Sequence, residues 1–536
     1  MRLENIVAAH AQSKPGKTAI ICASRRITYR DLHASIRQMA SALANRGVAQ
    51  GDVVMFYLPS SIEFVQMLYA VYTLGAVAVP VTTRLSASEL AYICEDSEPK
   101  VLVFDAAETR KIRGLLDGLS KLSLISFGGA VGGAENFSEL LNTPPASLPE
   151  ISVANDDCMI MYTAGTTGEP KGAIVTHANI IIQHCYINAV DWGISGDDRY
   201  LVVTPLTHRT GFARLSNSLT LGGTIVVLGK FDAGAVIDAI ETEKITVLGM
   251  VPTLCRMLLP HIEDNPSRCA SLRRITVTGE AFPVSLKKRL IEALPNLKLA
   301  SFFAQTEAGG VTSLSHEEQF THPESVGRPS AGIEIKIVDD DDKEVATGTV
   351  GELTVRVGEP GRYVVMRGYY NRPEQTAETF KGGWFHTGDL GYVDEDGYLY
   401  IADRKKDMII SGAFNIYSKE VEQVIIGMET VAEAAVVGVA DEIYGEAVAA
   451  FVVLETKGAP DAEQIIAHCK DRIASYKKPK YVFFVDDLPR NSLGKVLKGD
   501  LRQSAARLIG VPAANKAGDV NGPSEAETGN RSTEIF

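Results

Sequence analysis

The segment YTAGTTGEPKGAIVTH, Tyr162 to His177, sets the reading of the rest of the chain. Its first eleven residues hold three glycines, three threonines and one lysine. Glycine admits positive φ and lets a ligand come close to the backbone. Successive N–H groups in such a turn form an anion-binding nest. Thr163, Thr166 and Thr167 add hydroxyl donors, Gly168 adds backbone freedom and Lys171 adds a positive charge. The Walker pattern G-x-x-x-x-G-K-[ST] is not met. Pro170 stands at its second glycine and Gly172 at its hydroxyl position. The loop joins two apolar strand-like runs, and the expectation is a phosphate cradle of a different kind. A ligand-free surface turn is the bland alternative, and it leaves this combination of residues without a purpose.

Working outward, the flanking sequence alternates short apolar strands with helices. DVVMFYL, AVAVPV and KVLVFD read as strands, and SSIEFVQMLYAVYTLG reads as a helix with a serine at its start and a glycine at its end. After the loop, YLVVTP, GTIVVLG, ITVLGMVP and LRRITVTG repeat the pattern, with helices DAGAVIDAIETEK and SLKKRLIEALP between them. Such alternation predicts parallel sheet with crossover helices. From about 325 to 400 the texture becomes hairpin-like, and beyond IADRKKD it becomes a small α+β unit. The expected fold is α/β. A large N-terminal domain, 1–403, comprises two α/β layered subdomains and a β subdomain. A small mobile α+β domain, 404–510, follows, and a polar tail, 511–536, reads as disordered.

Composition narrows the function. The chain has 536 residues with a formal net charge of −13 and no concentrated basic face, which argues against nucleic acid as the main partner. Seven scattered cysteines form no C-x-x-C pair, and the ten histidines show no zinc spacing. Reduced thiols and a cytoplasmic location are expected. The N-terminus is not read as a signal peptide. No apolar run approaches the roughly 20 residues that span a bilayer. The acidic runs DEDG and DDDD, at 394–397 and 339–342, are read as hairpin turns rather than calcium loops.

Further motifs follow in order: PLTHRTG at 205–211, VTGEAFP at 277–283, FFAQTEAGG at 302–310, WFHTGDLGYVDEDGYLYIADRKKD at 384–407, IISGAFNIYSKEVE at 409–422 and PRNSLGKVLKGDLR at 489–502. Together with the opening loop they resemble the adenylate-forming superfamily, which includes acyl-CoA synthetases, adenylation domains and luciferases. The resemblance spans 162 to about 502. Ala164, Phe303, Ala304, Ala413 and Ser418 depart from the more usual residues.

The resemblance implies a site residue by residue. Thr163, Thr166, Thr167, Gly168 and Lys171 would hold the leaving phosphates. Gly279, Glu280 and Ala281, with Phe303, Ala304, Gln305 and Thr306, would frame the adenine. Asp389 would grip the ribose and Arg404 would lie near ribose and phosphate. Glu307, helped by Thr163, would hold Mg²⁺, a cation that prefers hard oxygen ligands and shared phosphates. Lys495 would stabilise the adenylation transition state, Lys406 would be the hinge, and Ser411, Gly412, Ala413 and Phe414 would receive coenzyme A. His208, also a catalytic candidate, would line the acyl pocket with Phe212, Arg214, Gly309 and Gly310, the glycine pair leaving room for a ring or a chain.

The implied reaction has two steps. A carboxylate, already ionised at pH 7, attacks the α-phosphorus of ATP and expels pyrophosphate. A thiol then takes the acyl group. No carrier-like domain follows the C-terminal unit, so coenzyme A is the expected acceptor; loading of a separate carrier protein, or amide formation, is the alternative. Retention of the polar residues named above argues against a catalytically dead ATP-binding protein. Arginines on helices are usually solvated, which is the first expectation for Arg209 and Arg214; an inward Arg214 would call for a second carboxylate or polar group on the acid. A homodimer and a monomer are both left open.

Overall fold

The computed structural model describes residues 1–116, 122–148, 150–152, 156–163, 170–279, 282–412, 414–428, 430–455, 460–490 and 496–511. Two large sheets carry the first part of the chain. One runs in the order 368–369, 171–176, 157–163, 77–80, 53–57, 101–105, 123–127, 135–136. The other runs 298–301, 274–277, 247–250, 199–202, 224–227, 18–22, 25–28.

Both sheets are buried on both faces, which is why their strands read as continuous apolar runs. Along Val53–Tyr57, Val54 and Phe56 enter the central core while Val53, Met55 and Tyr57 enter an outer one. Along Arg199–Val202, Tyr200 and Val202 face the central core and Leu201 faces away. Helices Tyr29–Asn45, Ile62–Thr73 and Arg209–Leu221 supply the central core between the sheets. Helix Ala87–Ser97 covers the outer face of the first sheet, and Ala233–Glu243, Pro252–Asp264 and Val284–Ala293 cover that of the second.

Local signals act as the sequence predicts. Ser61 accepts a hydrogen bond from the Phe64 N–H at 3.1 Å and starts its helix. Gly75 leaves it at φ +66, where a Cβ would also meet Ile151 at 2.9 Å.

Two features go beyond the alternating pattern. The N-terminal hairpin Thr18–Cys22 and Arg25–Thr28 joins the second sheet through strand Thr224–Val227, a pairing across some two hundred residues. A helical run from His177 to Trp192, unbroken by any turn, has a π-helical middle, Ile181–Ile187. Such wide turns displace side chains from the regular face and occur often at functional sites.

A five-stranded sheet follows, built on Ile335–Val338, Gly351–Arg356, Phe380–Lys381, Trp384–Val393 and Leu399–Arg404. Both acidic runs are turns here. The Asp394 carboxylate accepts from the N–H groups of Asp396 and Tyr398, and the Asp339 N–H donates to the Lys343 carbonyl at 2.9 Å. Arg404 still pairs with Asp389 in this sheet, whereas Ile409–Ser411 pairs in another, with Phe414–Ile416 and Gly445–Leu454. The chain therefore leaves one sheet and enters the next between 404 and 409. Strands Val431–Asp441 and Gly445–Leu454 form the long hairpin of this last sheet, flanked by helices Ser418–Ile426, Ala462–Lys470 and Lys498–Ile509.

Candidate active site

Thr163 ends strand Asp157–Thr163, directly opposite Lys171, which begins the antiparallel strand Lys171–Thr176. The opening segment is thus flanked by two strands that pair antiparallel. A Walker loop joins a strand to a helix, so this topology is why that pattern fails. Thr166, Thr167 and Gly168 lie outside the described residues, as do Glu280, Ala281, Ala413 and Lys495.

The Thr163 hydroxyl donates to Glu307 Oε1 at 2.9 Å. The Tyr369 hydroxyl lies 3.5 Å from the same oxygen, and Lys171 Nζ sits 5.5 Å from the Tyr369 ring centre. Burial and the Glu307 charge raise the Tyr369 pKa, so its phenol stays protonated. Tyr369 was not singled out from the sequence. The signal was an aromatic pair, Tyr369–Tyr370, in a polar turn after the glycine Gly368.

Glu307 occupies a tight turn. Ala304 pairs with Gly310 and Gln305 with Gly309, so residues 306–308 are its tip. Gln305, two residues before Glu307, donates to the Thr387 carbonyl at 2.9 Å and to Asp389 Oδ2 at 2.5 Å. The other Asp389 oxygen pairs with Arg404 Nε at 2.6 Å. Asp389 is only 2% exposed. Each carboxylate oxygen has two lone pairs, so a ribose hydroxyl can still be accepted. One turn therefore ties the pair Thr163–Glu307 to the pair Asp389–Arg404.

Gly279 follows strand Arg274–Val277 at φ +99, a conformation that favours glycine. Phe303 is half-buried against Leu353, Leu399 and the Val311–Val355 cluster, and Ala304 and Thr306 are half-exposed beside it.

The residues expected to line an acyl pocket differ from expectation in three ways. First, Arg214 is not solvated: it is 1% exposed, with Nη1 donating to Thr276 Oγ1 at 2.8 Å and the guanidinium 4.8 Å from the Trp192 ring centre. Arg209 is also drawn in; burial lowers its pKa to about 10, against the pull of Cys158, Tyr72 and Glu307. Second, Phe212 packs in the central core with Leu215 and Leu219. Residues two apart on a helix point about 200° apart, so Phe212 and Arg214 serve opposite faces. Third, the Gly309–Gly310 pair leaves no open space. The Gln183 amide fills it, accepting from the Gly310 N–H at 2.9 Å, and a Cβ on Gly310 would meet Gln183 Nε2 at 2.6 Å.

His208 caps helix Arg209–Leu221, its Nδ1 accepting from the Thr210 N–H at 3.3 Å. Burial lowers its pKa, so it is neutral at pH 7. The π-helical turn brings in residues that sequence reading passed over. His184 is buried, with Nδ1 3.1 Å from Asn188 Nδ2, and its carbonyl accepts from Asn217 Nδ2 at 2.7 Å. Their signal was polar residues spaced through the apolar run HANIIIQHCYINAVDW.

In the C-terminal unit, Ser411 pairs with Phe414 around Gly412, which adopts φ +62 and donates to the Tyr444 carbonyl at 2.6 Å. Phe414 is 52% exposed and stacks on Tyr476 at 4.3 Å. Ser418 does not enter this loop. It is fully buried and donates its hydroxyl to Asp403 at 2.8 Å, where its N–H also points. Lys498 reaches Ser418 Oγ at 2.6 Å and Glu422 at 2.8 Å. Lys406 lies between Asp403 and Asp407, and Asp407 pairs with Arg502 at 2.6 Å. The suspected hinge is thus flanked by polar ties into the C-terminal unit.

Glu307 and Thr163 offer one carboxylate and one hydroxyl. That set suits Mg²⁺, which keeps waters and shares substrate phosphates rather than needing an all-protein cage. Among the described residues no group of three or more His, Cys, Asp or Glu could hold a metal alone, and no helix is long and apolar enough to cross a membrane.

The AMP-binding enzyme family model matches residues 7–370, and that of the AMP-binding enzyme C-terminal domain matches 420–495. The chain is 35% identical over 490 residues to the long-chain-fatty-acid–CoA ligase FadD13 of Mycobacterium tuberculosis, covering 90% of this chain and 94% of that one. It is 35% identical over 514 residues to indoleacetate–CoA ligase of Aromatoleum aromaticum, covering 95% and 99%. Among solved structures, o-succinylbenzoate coenzyme A synthetase of Bacillus subtilis in complex with ATP and magnesium ion superposes with a TM-score of 0.82 at 32% identity, covering 93% of this chain and 99% of that one.

Proposed function

The chain belongs to the AMP-binding enzyme family, and from that premise we propose that the site activates a carboxylic acid with ATP and passes the acyl group to coenzyme A. It is an AMP-forming acid–CoA ligase. The observation that carries this reading is the 304–310 turn. It holds Glu307 against Thr163 on one side and Gln305 against Asp389, itself paired with Arg404, on the other. A nucleotide laid along this line meets a carboxylate for its ribose, an arginine beside it, and an acid–hydroxyl pair for its phosphates.

The roles follow from the chemistry of these groups. Asp389 accepts from the ribose hydroxyls, and Arg404 fixes that carboxylate. Glu307 and Thr163 would hold Mg²⁺, which supplies positive charge beside the phosphates when bound. Lys171 and the 163–168 loop stabilise the departing pyrophosphate, and Lys495 the charge that develops at the α-phosphate. Positioning and charge are the enzyme's main contributions, because the attacking carboxylate needs no base. Residues 411–414 receive the thiol after the small unit turns about Lys406. We assign the units as 1–403, 404–510 and the tail 511–536. The seven free cysteines support a cytoplasmic location, and gel filtration distinguishes a monomer from a homodimer.

Incubation with ATP, a panel of carboxylic acids and coenzyme A should yield pyrophosphate and a CoA thioester identified by mass spectrometry. Pyrophosphate without thioester would favour carrier loading or amide formation, and no pyrophosphate with any acid would defeat the ligase reading. Lys495→Ala should abolish pyrophosphate release yet spare thioester formation from added acyl-adenylate. Equal loss of both would contradict separate roles for the two half-reactions.

A further inference from the structure

The acyl side carries a charge that the activation step does not use. Arg214 sits in a slot built for it. Gly249, in strand Val247–Met250, has no side chain, and a Cβ there would lie 2.6 Å from Arg214 Cδ. The guanidinium is held from one side by Thr276 Oγ1 at 2.8 Å and from another by the Trp192 face. Its Nε has no hydrogen-bond partner, and among the described residues no carboxylate pairs with it. Neighbouring groups do not neutralise it. Burial and the charges of Arg209 and Arg214 push the His184 imidazole well below its usual range, so it is uncharged, and its Nε2 has no partner. Arg209 Nη1 has none either. Arg214 itself, lowered to about 10 by burial, stays protonated at neutral pH.

A buried cation without a counter-ion is costly to a fold. Locally unfavourable arrangements of this kind concentrate at functional sites. The positions fit a ligand. Arg209, at the start of helix Arg209–Leu221, lies within electrostatic reach of Glu307. Arg214 lies deeper, six residues after His208, or about 9 Å along the axis at ~1.5 Å per residue.

We propose that Arg214 receives a second carboxylate of the substrate, so that this chain activates dicarboxylic acids at the end remote from that anchor. The inference rests on the ligase reading and names its substrate class. His184 and Trp192 flank the anchor, a neutral ring nitrogen and an aromatic wall for the connecting segment.

The test compares straight-chain diacids from succinate to sebacate, and benzene-linked diacids, each with its own monomethyl ester. Thioester formation is the readout. At least one diacid should exceed its ester in kcat/KM by about tenfold, chiefly through KM. Arg214→Met should collapse that ratio and Arg214→Lys should restore part of it; a loss of fold alone would lower both rates and leave the ratio unchanged. Thioester formation in which no diacid outperforms its ester overturns the inference while the ligase reading stands. A diacid preference that survives Arg214→Met also overturns it. If Arg214→Met does not fold, the wild-type ratio and Arg214→Lys still decide. Failure of every acid to release pyrophosphate removes both readings together.

Discussion

Glu307 shows how much one side chain can be asked to do. Its carboxylate takes the Thr163 hydroxyl at 2.9 Å and lies 3.5 Å from the Tyr369 hydroxyl. Its backbone carbonyl accepts from the Met366 N–H at 2.8 Å. Glu307→Gln keeps the shape and removes the charge. Pyrophosphate release should fall on the order of a hundredfold, the usual effect of losing one preorganised electrostatic group. The thermal midpoint should move little, because the backbone anchor remains. Rates of the wild type and variant at saturating ATP and magnesium check this, and a loss under twofold would contradict it. At this scale the family resemblance named Thr163, Glu307, Asp389 and Arg404, and the fold pairs Thr163 with Glu307 and Asp389 with Arg404. Tyr369, His184 and Gln183 were not legible, because each acquires meaning only from a partner more than sixty residues away or from a side chain turned by a wide helical turn.

Elements carry the positioning. The 304–310 turn works because Gly309 adopts φ +72 and Gly310 admits Gln183. Read as sequence, the two glycines imply space; packed, they mark a close approach of another side chain. The strand Gly351–Arg356 plays a comparable part beside Lys405. Glu352 is buried, and burial alone would raise its pKa. His386 and Lys405 outweigh that and hold it at about 2. A carboxyl depressed in the folded state contributes stability above its unfolded value of about 4.5, and the contribution is lost as pH falls towards about 2. The difference in thermal midpoint between the wild type and Glu352→Gln should therefore be widest above pH 4.5 and close between 4.5 and 2. A gap that does not change from pH 6 to 3 would contradict the assignment.

For the whole molecule, the chain passes from one sheet to another at 404–409, and this passage holds Lys406, the proposed hinge. Asp403 is tied to Ser418 across it and Asp407 to Arg502 beyond it. Lys406→Pro fixes φ at one value. Pyrophosphate release should survive, while thioester formation should fall by at least tenfold, a loss of about 1.4 kcal/mol in the second step. Loss of both half-reactions equally would place the hinge elsewhere. The sequence by itself determined the α/β alternation, the caps and turns, and the order of the nucleotide-binding motifs. These depend on residues close together in the chain: apolar period, glycine and serine at helix ends, spacing within a motif. Only the tertiary structure decided that the N-terminal hairpin joins the second sheet, that Phe212 belongs to the core, that Ser418 is buried against Asp403 and that Arg214 is buried opposite Thr276. Helical periodicity says that Phe212 and Arg214 face apart, but not which face meets solvent. That is settled by what packs on each side, and the packing partners come from strands and helices far along the chain.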